Sequence, residues 1–214
     1  MIKNNRISAI VSLTKGINTL LDIGCDHGLV IKEALDNNYI KQGIASDINV
    51  GPLNSAKTNL KGYPVKFVLS DGFLNINDNY DGVVIAGMGA HLICNILKNA
   101  PKDENITYIL QPNGRYEILR KYLSENNFKI INEILVYEKR YYVVLKVTRG
   151  KEKLTEQEIY LGPYLSKQSS SKEYYQMVLD KYYQVIKNSG IVEKEIKQKV
   201  LWLQGIIDKH TGEW

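Results

Sequence analysis

At 214 residues, 44% hydrophobic and 24% charged, the chain suffices for one full α/β domain with a smaller appendage, and this composition excludes wholesale disorder. A formal charge of +5 leans mildly toward a polyanionic partner. The two cysteines, Cys25 and Cys94, lack the spacing of a zinc site or a disulfide framework and fit a reducing compartment, so no metal centre is expected.

The opening MIKNNRISAIVSL is too polar for a signal segment, and no run of about 18 apolar residues is present to span a bilayer. A cytoplasmic protein without a membrane anchor is expected. Ile7, Ile10, Val11 and Leu13 have helical spacing up to a break at Thr14-Lys15-Gly16. Strand-like and helix-like runs then alternate: NTLLDIG, a helix in LVIKEALDNN, QGIASDI, and a helix in GPLNSAKTNLKG with Pro52 in its first turn. PVKFVLSD and YDGVVIAGM are the third and fourth strands, followed by a helix in AHLICNILKNA, a fifth strand in ITYILQP and a helix in RYEILRKYLSENN. FKIINEILVYEKRYYVVLKVTRG reads as two long strands turning near Glu138-Lys139-Arg140, with Tyr137, Tyr141 and Tyr142 suited to a pleated surface.

This alternation predicts an α/β fold: a parallel sheet covered by helices on both faces, closed by an antiparallel pair into the mixed seven-stranded sheet of Rossmann-like class I methyltransferases. After Thr148-Arg149-Gly150 the strand signals stop. Three helix-like stretches follow: TEQEIYLGPYLSK, SKEYYQMVLDKYYQVIKNS and EKEIKQKVLWLQGIID. Tyr175, Val178, Leu179, Tyr182, Val185 and Ile186 recur at helical steps, as do Ile196, Val200, Leu203 and Ile207. The short Asn188-Ser189-Gly190 break makes an antiparallel hairpin the economical reading. The expected division is residues 1–150 as a methyltransferase-type domain and 151–214 as a helical, coiled-coil-like one.

Candidate chemistry gathers at the carboxyl ends of the strands, where open α/β sheets bind ligands. In LLDIGCDHGLV, Asp22, Gly24 and Gly28 hold three places of an acidic-x-Gly-x-Gly-x-Gly loop, and Asp26 fills the central glycine place. A pyrophosphate resting on the helix N-terminus would be repelled by two carboxylates. They suit instead a ligand with an ammonium and a sulfonium group, which describes S-adenosylmethionine. Asp47, after the second strand, is placed to accept from ribose hydroxyls or else to cap the next helix, with Ile48 beside it. At the third strand end Asp71 can accept from an adenine amino group while the Asp71-Gly72 peptide approaches the ring; a plain Asp-Gly turn is the alternative. Ala86, Gly87, Met88 and Gly89 combine close backbone approach with a soft apolar side chain, as suits a methyl group and a flat base; a strand end simply relaxed by its glycines is the alternative. Gln111, Pro112 and Asn113 set two amides beside a rigid proline, able to read a base edge or simply to turn the chain.

The segments DIGCDHGLV, SDINVGPLNSAKTNL, LSDGF, IAGMGAHL, ILQPN and LGPYL together resemble the bacterial tRNA (adenine-N1)-methyltransferase family that modifies adenine 22, TrmK. The likeness runs from about Arg6 to Gly150 and continues into the helical tail. Two positions depart from it: Cys25, where a serine or similar small residue is the expectation, and Ala90, where glycine is frequent. The resemblance implies S-adenosylmethionine held by the first domain and tRNA steadied by the second.

On that basis Asp22, Gly24, Cys25, Asp26, His27, Asp47, Ile48, Asp71, Gly72, Ala86, Gly87 and Met88 are the expected cofactor residues, and Asp26, His27 and Met88 the expected catalytic ones. Asp26 either stabilises the cationic product ring or holds the cofactor ammonium; His27 either meets the cofactor or base or caps the helix start. Gly89, Gln111, Pro112 and Asn113 are expected at the substrate. Among basic residues, Lys3, Arg6, Lys15, Arg115, Arg120, Lys121, Lys139 and Arg140 are candidates for phosphate contacts, of which a minority should matter. The tail's lysines are nearly balanced by acids, so it is no simple basic arm; its helical pair either braces RNA by shape or mediates dimerisation. A monomer is favoured.

Overall fold

The run TLLDI forms β1 (Thr19–Ile23) with every residue buried, Asp22 included, so it lacks the apolar-polar alternation of a strand with one solvated face. A computed structural model describes residues 6–189 and 193–211; Lys3 and Gly190, named above, lie outside the described residues. The chain divides into two compact units, Met1–Lys153 and Leu154–Trp214.

In the first unit, α1 (Arg6–Ser12) precedes β1, and α2 (Leu29–Asp36), β2 (Gln42–Asp47), α3 (Val50–Asn59) and β3 (Val65–Leu69) follow. Then come β4 (Gly82–Met88), α4 (Ala90–Leu97), β5 (Thr107–Pro112), α5 (Tyr116–Glu125), β6 (Phe128–Glu138) and β7 (Arg140–Arg149). The seven strands are ordered β3-β2-β1-β4-β5-β7-β6. β1 to β5 pair in parallel, and β7 lies antiparallel between β5 and β6. The order reverses between β1 and β4, and this opens a crevice beyond their carboxyl ends.

Local chemistry fixes that crossover. The Asp81 carboxylate accepts the Thr19 amide at 2.7 Å and the Asn18 amide at 2.9 Å, which ties the start of β1 to the start of β4. The turn between β6 and β7 is a single residue, Lys139, at φ 60°. On the α1/α2/α3 face, Ile10, Ile31, Ala34 and Leu60 pack over Leu20 and Val84.

The second unit holds α6 (Glu156–Leu161), α7 (Lys172–Ser189) and α8 (Lys194–Lys209). α6 opens on a capping box in which Thr155 and Glu158 exchange hydrogen bonds. It stops after six residues because Gly162 takes φ 98° and Pro163 cannot continue a helix, so the longer helix expected through Lys167 becomes a short helix and a 3-10 turn. Tyr175 and Leu179 on α7, and Leu203 and Ile207 on α8, are buried at four-residue steps. Val185, expected on the same stripe, is half exposed, so the buried stripe thins toward the end of α7. No helix among the described residues is long and apolar enough to cross a membrane.

Candidate active site

A cleft of about 710 Å³ lies over the strand ends, within the ~300–1,000 Å³ usual for small-molecule sites. The loop after β1 forms its centre. Gly24, Asp26 and Gly28 take φ of 74°, 48° and 69°, so the left-handed conformation of a glycine loop is kept with an aspartate at its central place. Aspartate tolerates this conformation better than most side chains. The Gly24 and Cys25 amides both donate to the Ser46 carbonyl, at 2.8 and 2.9 Å, which presses the loop onto the end of β2.

The carboxylates divide by depth. Asp22 is 4% exposed at the floor. Burial, then the nearby Asp47 and Asp26 charges, push its carboxyl from 3.8 up to about 7. Asp47 is also buried; its Oδ1 accepts the Asn49 amide at 2.9 Å and its Oδ2 the Asp26 amide at 3.5 Å. Asn49, not Asp47, is the N-cap of α3. Asp26 is 72% exposed at its side chain and lies 3.7 Å from His27 Nε2, itself exposed. The N-cap of α2 is Gly28, so His27 stands outside the cap position.

Ile48, 60% exposed, offers an apolar surface to the cleft beside Asp71 and Gly72. On the far side Ala86, Gly87 and Met88 line it, with Gly87 at φ 74° in a bulge of β4. Asn113 joins them and anchors that bulge: its Nδ2 donates to the Gly87 carbonyl at 2.7 Å, and its backbone amide to Met88 O at 2.8 Å. Cys25 borders the cleft but is 5% exposed and packs in the core, and burial raises its thiol pKa far above the ordinary range.

Other expected residues stand elsewhere. Gln111 is fully buried: its Oε1 accepts Arg6 Nη1 at 2.7 Å and the Gly87 amide at 3.2 Å, and its Nε2 donates to Pro112 O at 2.7 Å. Gln111 therefore braces the strand end instead of presenting its amide to a ligand, and Pro112 is buried with it. Gly89 is the N-cap of α4, outside the cleft lining, and Ala90 behind it is buried. Arg115 is the N-cap of α5 at φ 54°, and Lys139 is the exposed hairpin tip; neither lines the cleft. Arg120 is 1% exposed and donates to Glu133 at 2.7 Å, so it braces the core and, contrary to the expectation, is out of reach of a phosphate.

Arg6 and Arg140 do line the cleft, together with Tyr142, Leu29 and Leu92. In the sequence Tyr142 is marked only as a strand aromatic; its signal is its place in a hairpin returning beside β5. The result is a cleft divided by charge. Asp22, Asp26, Asp47 and Asp71 stand on the β1–β3 side, and Arg6 and Arg140 on the side formed by α1 and β7. The acidic floor fits a ligand with a cationic amino-acid end, and Ile48 with Asp71 fits a base and its amino group. Among the described residues no cluster of three or more metal-ligating side chains occurs.

Comparison with known proteins agrees with this geometry. A family model described as tRNA (adenine(22)-N(1))-methyltransferase, TrmK, matches residues 20–212. A Mycoplasma pneumoniae relative is 38% identical over 172 residues, covering 75% of this chain and 79% of its own. The structure of Streptococcus pneumoniae Sp1610 in complex with S-adenosyl-L-methionine superposes with a TM-score of 0.83 at 27% identity, covering 96% of this chain and 100% of that one. M. capricolum TrmK in complex with S-adenosyl-homocysteine gives a TM-score of 0.81 at 28% identity, with 97% and 99% covered. The chain belongs to the tRNA (adenine(22)-N(1))-methyltransferase family.

Proposed function

We propose that the protein methylates N1 of adenine 22 in tRNA, using S-adenosylmethionine, by in-line transfer to a base drawn out of its stack. The observation that carries this reading is the division of the cleft, with carboxylates on the β1–β3 side and Arg6 and Arg140 on the other. One side suits a cationic methyl donor and the other a polyanionic acceptor.

S-adenosylmethionine supplies an electrophilic methyl group, and adenine N1, which carries a free lone pair at neutral pH, can attack it without a general base. The protein's task is placement, from which about 7–11 kcal/mol of the barrier can come. Asp22 on the floor faces the cofactor's ammonium end. Asp47 accepts from the ribose, and Ile48, Asp71 and Gly72 take the adenosine base. Gly87 and Met88 border the methyl group. Asp26, exposed on the rim beside His27, is left to face the acceptor ring as it becomes cationic. N1 lies on the Watson–Crick edge, so the base must leave its stack, at a cost of a few kcal/mol. Residues 1–150 carry this chemistry, and the helical residues 151–214 brace the tRNA by shape.

The test is to incubate the protein with labelled S-adenosylmethionine and unmodified tRNA, digest the RNA and identify the nucleoside. Label in N1-methyladenosine at position 22 is expected; bound cofactor with no label in RNA would overturn the reading. Asp26→Ala should cut the single-turnover rate by about tenfold or more while cofactor affinity changes little. A loss confined to cofactor affinity would move Asp26 to the ammonium instead.

A further inference from the structure

Tyr142 has no part in the reading above, on which this inference rests. The Cζ atom of Arg140 stands 4.7 Å from the centroid of the Tyr142 ring, and that of Arg6 stands 5.5 Å from it. Two guanidiniums from distant parts of the chain thus share one ring. Their mutual repulsion is offset by its negative face, which holds cations without neutralising them.

Arg6 is fixed from three further directions. Its Nη1 donates to Gln111, its backbone amide donates to Glu138 Oε1 at 3.3 Å, and its Nε lies 3.9 Å from Glu138 Oε2. That Nε is buried and has no hydrogen-bond partner among the described residues. One carboxylate against two arginines leaves the group positive.

A neutral purine gains little from such a charge, and a methylated, cationic purine would be repelled by it. A phosphodiester is the part of the acceptor that fits. We propose that Arg6, Tyr142 and Arg140 form one clamp for the phosphate flanking the extruded adenosine, with Tyr142 the positioning residue that mounts both guanidiniums.

The experiment measures binding of unmodified tRNA by the full chain across a salt series, with S-adenosylmethionine affinity measured alongside. Tyr142→Phe should keep wild-type affinity and salt dependence. Tyr142→Leu should weaken tRNA binding roughly three- to thirtyfold and flatten the slope of log affinity against log salt by about one, with cofactor affinity unchanged. Arg140→Gln should then cost less in the Tyr142→Leu background than in the wild type. An unchanged slope in Tyr142→Leu, or an equal loss in Tyr142→Phe, overturns the clamp. If Tyr142→Leu loses cofactor binding altogether, and so does not fold, Arg6→Gln and Arg140→Gln decide: each flattens the slope by about one, or the proposal falls. Nucleoside analysis of the wild type reports separately on the methylation itself.

Discussion

The terminal methyl of Met88 fills the space that a side chain at Gly24 would need, so the loop after β1 and the end of β4 are built against each other. Gly24 also has φ 74°, where any other residue is strained. Gly24→Ala should cost about 1 kcal/mol of stability for the backbone, because the flexible Met88 can swing away. Met88 lines the cleft, so its displacement reshapes the site. Cofactor affinity should therefore fall by about tenfold or more, and Gly24→Ala combined with Met88→Ala should recover part of it in a calorimetric titration.

Asp22 makes cofactor binding depend on pH. Its carboxyl is raised from 3.8 to about 7, so the empty protein holds a proton there below neutrality. A cationic ligand needs the ionised form. Affinity should rise with pH up to about 7 and level off above, with up to one proton released per ligand bound below that point. Titration calorimetry in buffers of differing ionisation enthalpy reads this directly. Because the folded state favours the protonated form, the same group lowers the stability of the empty protein as pH rises from about 4 to about 7, and Asp22→Asn should remove both dependences.

Gln111 joins β5 to Arg6 and to the Gly87 bulge through hydrogen bonds of 2.7 and 3.2 Å, and a third, of 2.7 Å, runs to the carbonyl of its neighbour Pro112. Gln111→Leu keeps the volume but strips partners from buried groups, and should cost about 2–4 kcal/mol. Thermal unfolding gives that loss. In the surviving folded fraction, weakened tRNA affinity with little change in cofactor affinity is expected, since Arg6 loses its anchor while Asp22 and Asp47 keep theirs.

The buried Arg120–Glu133 pair ties α5 to β6. Arg120→Met alone takes the cation away from a carboxylate buried in the core and should destabilise the fold by about 3–5 kcal/mol. Arg120→Met with Glu133→Leu should cost much less than the sum of the two single changes, because no charge is left buried. Denaturant titration of the three variants checks this.

The chain by itself determined what depends on near neighbours. The order of strands and helices follows from local apolar runs and breaks, and the unusual loop follows from Asp26 standing where a glycine is the norm, a place its φ of 48° shows it can hold. The acidic ends of β1, β2 and β3 were legible because each closes its own strand. Tertiary structure alone decided which basic and polar groups meet the cleft. Arg120 and Arg140 look alike in sequence; α5 buries the first against Glu133, and β7, returning between β5 and β6, delivers the second beside Tyr142. Gln111 and Asn113 lie two residues apart, a spacing that would share one face of a strand, yet β5 ends at Pro112, so Gln111 stays in the core while Asn113, past the strand end, lines the cleft, and Arg6 arrives from more than a hundred positions away to meet Gln111. Those partnerships rest on strand order and on burial, and burial also moved Asp22 to neutrality; neither is written in the spacing of residues along the chain.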